Sequence, residues 1–140
     1  MKFPVMIVKD NITMKKQEIF DTVAAHLIKQ KRRSADKHGC WVYHGVDNLK
    51  CAVGCLIPDE IYTPEMEGKN IFALIKEGAI PSFSLDNLNE DYIVLCDLQY
   101  INDDCFVDDN DFFDMADLKE RLTSTAKKYK LDNTVLECIV

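Results

Sequence analysis

The sequence predicts an α+β fold, a mainly helical single domain over residues 1–140 with one small β-hairpin. Three observations carry that expectation. Apolar residues recur at three-four spacing in two long stretches, at Phe20, Val23, Ala24 and Leu27 and again at Met115, Leu118, Leu122, Ala126 and Tyr129. Between them, aromatic and β-branched residues flank a short loop of Gly, Asp and Asn. With 47% hydrophobic and 29% charged residues and no repeat or dividing linker, the chain suits one core that buries roughly two thirds of the unfolded surface.

Along the chain, Met1 to Val8 is apolar and extended in character, and residues 1–13 are read as an edge strand or N-terminal arm. The first long helix is expected from about Met14 to Arg33, with Thr13 as N-cap and bases in its last turn. The hairpin follows, with arms Cys40–His44 and Leu49–Val53 around Gly45 to Asn48. Gly54 permits a sharp turn, a short helical turn is expected at Asp59 to Tyr62, and Thr63-Pro64 begins a one-turn piece that Gly68 stops. A short helix runs from Asn70 to Glu77 and ends at Gly78. Pro81 opens a loop, and Leu88, Tyr92, Leu95 and Gln99 form one stripe of a helix from Asn89 to Asn102, although Tyr92 to Cys96 alone also reads as a strand. The last long helix is capped by Asn110 and runs to about Lys130, and Val135 to Val140 is an apolar tail that docks.

Charge is unevenly distributed. The window Asp86 to Glu120 holds 12 acids and one base, a net of -11, while the remaining residues hold 12 acids and 16 bases, +4, and the whole chain is -7. An acidic total argues against direct nucleic-acid binding as the main function. The bases gather at Lys29, Lys31, Arg32, Arg33 and Lys37, so the surface is expected to be two-faced. Asp103, Asp104, Asp108, Asp109 and Asp111 are the candidate partner-binding residues of the acidic face. The segment lacks the glycine and closing glutamate of a calcium-binding EF-hand loop. The longest N-terminal apolar run, Phe3 to Val8, falls short of the roughly 18 residues of a membrane span. No export signal is recognised, and a cytoplasmic location is expected, where the six cysteines stay reduced.

Candidate chemistry concentrates between Cys40 and Gly68. Cys40, His44, Cys51 and Cys55 are donor types for tetrahedral zinc, but each cysteine or histidine pair is separated by three residues, which suits a tight zinc knuckle poorly. Buried thiols are the favoured reading, and no metal, cofactor or catalytic residue is assigned. His26, His38 and His44 are the only histidines, and a thiol nucleophile needs one of them as a nearby base. Asp59, Glu60, Glu65 and Glu67 crowd a short stretch where capping and solvation are the expected roles. Trp41 and Tyr43, two apart, share one face of a strand. With Tyr62 they make a candidate aromatic platform for a nucleotide-like ligand. The candidate ligand-binding set is therefore Trp41, Tyr43, His44, Asp59, Glu60 and Tyr62.

The run Tyr43-His44-Gly45, then Lys50-Cys51-Ala52-Val53-Gly54-Cys55-Leu56-Ile57-Pro58-Asp59-Glu60-Ile61-Tyr62 and Glu67-Gly68, resembles a family of small proteins encoded by phages and by bacterial genomes carrying prophages. The likeness spans about residues 17 to 130 and includes Asp97-Leu98-Gln99-Tyr100-Ile101-Asn102-Asp103, with Asn102 where the family usually has His. The resemblance implies no defined activity. It implies a setting in which a small accessory protein binds a host component and counteracts a host defence. The leading expectation is a non-catalytic protein that sequesters a host protein or a small anionic, nucleotide-like ligand, as a monomer or a homo-oligomer. The second is a small metal- or thiol-dependent enzyme built on the central Cys, His and carboxylate cluster.

Overall fold

A computed structural model describes residues 15–83 and 90–138. The expected N-terminal arm and the Asn89 start of the third helix lie outside the described residues. Helix α1 (Lys16–Gln30) buries Ile19, Phe20, Val23, Ala24, Leu27 and Ile28, the three-four stripe that the sequence presents. Lys15 precedes it, its N–H donating to the Glu18 carboxylate at 3.1 Å, and Lys31 ends it in the left-handed region with φ 66°. Helix α2 (Ile71–Lys76) is capped by Asn70, whose side chain accepts from Ala73 N–H at 2.8 Å. Helix α3 (Glu90–Asp104) buries Val94, Leu95, Leu98, Ile101 and Asn102. Its helical stripe prevails over the local strand-like run Tyr92 to Cys96, because α1 and α4 both pack against it.

Helix α4 (Met115–Lys128) starts later than expected. Its cap is Asp114, which accepts from Asp117 N–H at 3.1 Å, and not Asn110. The Asp108 carboxylate instead closes a turn by accepting from Asn110 N–H at 2.8 Å and Phe112 N–H at 3.0 Å, which leaves Asn110 inside that turn. The tail contributes helix α5 (Val135–Cys138), which docks on α1 through buried Leu136. Phe20, Leu27, Leu95, Leu98, Leu118 and Leu122 are fully buried in one cluster, each such side chain contributing about 1.5–3 kcal/mol of apolar burial.

The expected β-hairpin over residues 40–53 does not form. Among the described residues there is no β-strand, only four isolated antiparallel bridges: Arg32 with Phe112, Ala35 with Trp41, His44 with Lys50 and Val107 with Phe113. The α+β expectation therefore gives way to a helical frame carrying an irregular loop. The first arm is divided between two partners. At its start, Trp41 bridges Ala35 across a turn in which the Asp36 carboxylate accepts from His38 N–H at 2.8 Å and Cys40 N–H at 2.9 Å. At its end, Gly45 N–H donates to Leu49 O at 2.7 Å and Cys51 N–H to Tyr43 O at 3.2 Å. The chain then leaves the pairing direction in a one-turn 3-10 segment, Gly54–Leu56. A ladder needs several consecutive pairs to propagate, and here each side is diverted after one.

The two charged segments are neighbours in space. Arg33 N–H donates to Asp111 O at 2.8 Å and Phe113 N–H to Lys31 O at 2.9 Å, so the basic end of α1 runs beside the acidic turn. Asp104 and Asp117 share Arg121 at 2.9 and 3.0 Å, and Asp97 meets Lys128 at 3.1 Å. The -11 of the acidic segment is thus partly balanced by cations within reach of it. Such exposed pairs contribute only about 0–1 kcal/mol each.

Candidate functional site

The loop between α1 and α2 has almost no regular backbone pairing, so side chains hold it. Glu67 is the central group. Its Oε1 accepts from Tyr43 N–H at 2.8 Å, and its Oε2 accepts from His44 N–H at 3.2 Å and from the Tyr62 hydroxyl at 2.6 Å. A carboxylate receiving three donors fixes two distant stretches of chain with charge-assisted bonds. The Tyr43 hydroxyl in turn donates to Lys69 O. Burial, with the Cys51, Glu67 and Asp103 charges behind it, pushes the Tyr43 phenol up to about 12, and burial followed by the bond to Glu67 raises Tyr62 as well.

His44 lies flat against Tyr62, with ring centroids 4.2 Å apart and 14° between the planes. Its Nε2 is 2.9 Å from Gly54 O. A carbonyl can only accept, so Nε2 carries the proton and Nδ1 looks toward Asp59 at 3.6 Å. Asp59 is held more closely by Lys50 at 2.7 Å, and that ammonium keeps its carboxyl below the usual range. Lys50 is itself fastened to α1: its carbonyl accepts from His26 Nε2 at 2.7 Å and Gln30 Nε2 at 2.8 Å, and its N–H donates to Gln30 Oε1 at 3.0 Å. Burial lowers the His26 pKa, which makes this histidine a neutral strut.

Beside this framework lies a pocket of about 310 Å³ between the loop and α3, lined by Trp41, Tyr43, Cys51, Glu67, Gln99, Asn102 and Asp103 among others. Gln99 joins its two walls, accepting from Val53 N–H at 2.9 Å and donating to Asp103 Oδ1 at 3.0 Å. Asn102 Nδ2 donates to the same Asp103 oxygen at 3.0 Å. Beneath Trp41, the guanidinium of Arg33 sits 4.5 Å from the ring centroid. Arg33 is 4% exposed and, among the described residues, makes no ion pair. It donates instead to Asn102 O at 2.9 Å and Cys105 O at 2.6 Å, carbonyls at the C-terminal end of α3 where a cation is favoured.

The candidate ligand residues are therefore divided. Trp41 and Tyr43 line the pocket, whereas His44, Asp59 and Tyr62 form the neighbouring cluster and Glu60 is exposed. The candidate acidic face divides too. Asp103 belongs to the pocket, Asp104 pairs with Arg121, Asp108 caps its own turn, Asp111 is at φ 66° within that turn, and Asp109 is exposed. Glu67, Gln99 and Asn102 were not in the candidate set. Their residue types carry no local signal, because the pocket joins two segments far apart in the chain.

Among the described residues, no three His, Cys, Asp or Glu side chains are grouped to hold a metal ion. Cys40 is exposed, while Cys51 and Cys55 have thiols that burial pushes up to about 12. Cys51 Sγ accepts from Gly54 N–H at 3.3 Å, and the Cys55 thiol donates to Ala52 O at 3.1 Å. Neither is activated toward nucleophilic attack. No described helix is long and apolar enough to cross a membrane. Comparison with protein-family models, curated proteins and solved structures finds no match to this chain.

Proposed function

We propose that this protein is a non-catalytic binding protein that sequesters a host component, with the pocket between the 41–69 loop and α3 as its ligand site and the acidic turn as a secondary protein contact. The observation that carries this reading is the division of labour around Glu67. The histidine, phenols and thiols of the central cluster are committed to hydrogen bonds with backbone groups or with the Glu67 carboxylate. The adjoining pocket stays open, with an aromatic wall and the Asp103 carboxylate at its edge. A site with this composition suits recognition more than turnover. The likeness to small phage and prophage proteins supplies the setting of a host partner, and host defence is the class of process such a binder opposes.

The test is to incubate the purified chain with host lysate, reisolate it, and identify released small molecules and retained proteins by mass spectrometry. Wild type is compared with Asp103→Asn and with Asp109→Lys. A retained species lost on Asp103→Asn supports the pocket, and one lost only on Asp109→Lys supports the acidic turn. Turnover of a lysate component that requires Cys51 or His44 overturns the binding reading in favour of an enzyme.

A further inference from the structure

The pocket's own chemistry specifies its ligand more narrowly. Two lining residues are acids, Glu67 and Asp103, and the ammonium of its single lysine, Lys69, is committed to Glu77 at 2.8 and 2.9 Å. Arg33, the other cation close by, is 4% exposed and committed to the Asn102 and Cys105 carbonyls, so the charge pattern disfavours a phosphate or carboxylate ligand. Asn102 is 1% exposed and lines the same pocket. Because Asp103 only accepts, the Asn102 amide is fixed with Nδ2 toward it. The remaining atom, Asn102 Oδ1, is buried and has no hydrogen-bond partner. A buried acceptor left without a donor is rare in native proteins, and of the pocket's lining residues only Asn102 has such an atom among the described residues. Trp41 is 56% exposed, and its ring already carries the Arg33 guanidinium at 4.5 Å.

Resting on the binding reading above, we propose that this pocket recognises a guanidinium group, held by Asp103 and Asn102 Oδ1 and packed against Trp41. A guanidinium presents several N–H donors in one plane, is weakly hydrated and stacks on aromatic rings, which an ammonium does less well. The cavity volume of about 310 Å³ lies at the lower end of small-molecule sites. The group comes either from a free small guanidinium compound or from an arginine side chain of a host protein.

The experiment is an amide NMR titration of the full chain with methylguanidinium, methylammonium and methyl phosphate. Saturable shifts at Tyr43, Glu67, Gly68 and Asn102 are expected with methylguanidinium, about tenfold tighter than with methylammonium. Asp103→Asn, at a partly exposed position, should weaken binding by about tenfold or more with the remaining spectrum unchanged. Asn102→Leu should weaken it as well without lowering the unfolding midpoint. If methyl phosphate saturates the same amides more tightly, the pocket is a ligand site but the guanidinium assignment fails. Shifts insensitive to Asp103→Asn also sink the assignment, because the cation is then held elsewhere. If no probe moves these amides, both the assignment and the pocket reading fall. Titration with a blocked arginine amide and with short arginine peptides separates the two sources: equal affinity indicates a free compound, and tighter peptide binding indicates a protein arginine.

Discussion

Gly54 lies so close to Tyr43 that a Cβ added at position 54 would stand 2.0 Å from the Tyr43 carbonyl oxygen. The neighbour is backbone, and the same carbonyl accepts from Cys51 N–H at 3.2 Å, so it cannot swing aside without loosening the pocket wall. Gly54→Ala should lower unfolding free energy by about 3 kcal/mol or more. Gly39→Ala, which meets no atom within 4 Å and is strained only by φ 82°, should cost about 1–2 kcal/mol. Urea unfolding of the two variants checks the contrast; equal losses would refute the close-contact argument.

Glu67→Gln replaces one acceptor oxygen by an NH₂ group that must face either Tyr43 N–H or the pair formed by His44 N–H and the Tyr62 hydroxyl. The expected loss is about 1–3 kcal/mol, and Tyr62→Phe alone should lose about 1 kcal/mol. Combined, the two should lose less than the sum, because they share one bond. A double-mutant cycle from denaturant curves measures the shortfall.

Capping distinguishes the observed start of α4 from the expected one. Asp114→Ala removes the side chain that accepts from Asp117 N–H and should cost about 1 kcal/mol, within the usual range for caps. Asn110→Ala should change stability by less than about 0.5 kcal/mol. Thermal unfolding of both variants decides which residue is the cap.

Stability should fall on both sides of neutrality. His26 has a lowered pKa from burial, so the folded state prefers it neutral; its contribution is full above the ordinary value of 6.5 and lost as pH falls through the depressed folded value. Tyr43, raised from 10.0 to about 12, and Cys51, raised from 9.0 to about 12, contribute fully below their ordinary values. That contribution is lost as pH rises from about 9 toward 12. Unfolding midpoints measured across pH should show both shoulders. His26→Gln should flatten the acid one, and Cys51→Ala should reduce the alkaline one. Under native conditions at neutral pH, Cys51 and Cys55 should be alkylated far more slowly than exposed Cys40, as peptide mass mapping would read.

The sequence by itself determined the buried faces of the two long helices α1 and α4, because their information is local. The stripe Phe20, Val23, Ala24 and Leu27 and the stripe Leu118, Leu122 and Ala126 fix which faces are buried whatever the neighbours are. Asn70, expected as the first residue of the short helix, is instead its cap, accepting from Ala73 N–H. Residues 40–53 went the other way. Their aromatic and β-branched residues favour strand, but β pairing needs a partner, and a strand's partners are chosen by the whole chain. Here Ala35 takes Trp41 and the Gly54 turn ends the pairing after His44 and Lys50.

The pocket was hidden for the same reason. Its acceptors Glu67, Gln99, Asn102 and Asp103 are spread over two segments that no short-range pattern connects. Only tertiary packing brings the loop onto α3, buries Asn102 Oδ1 without a donor, and sets Asp103 apart from the acidic turn to which charge counting had joined it. Local periodicity specifies elements, whereas a polar site depends on which distant groups are left to satisfy one another once the core has closed.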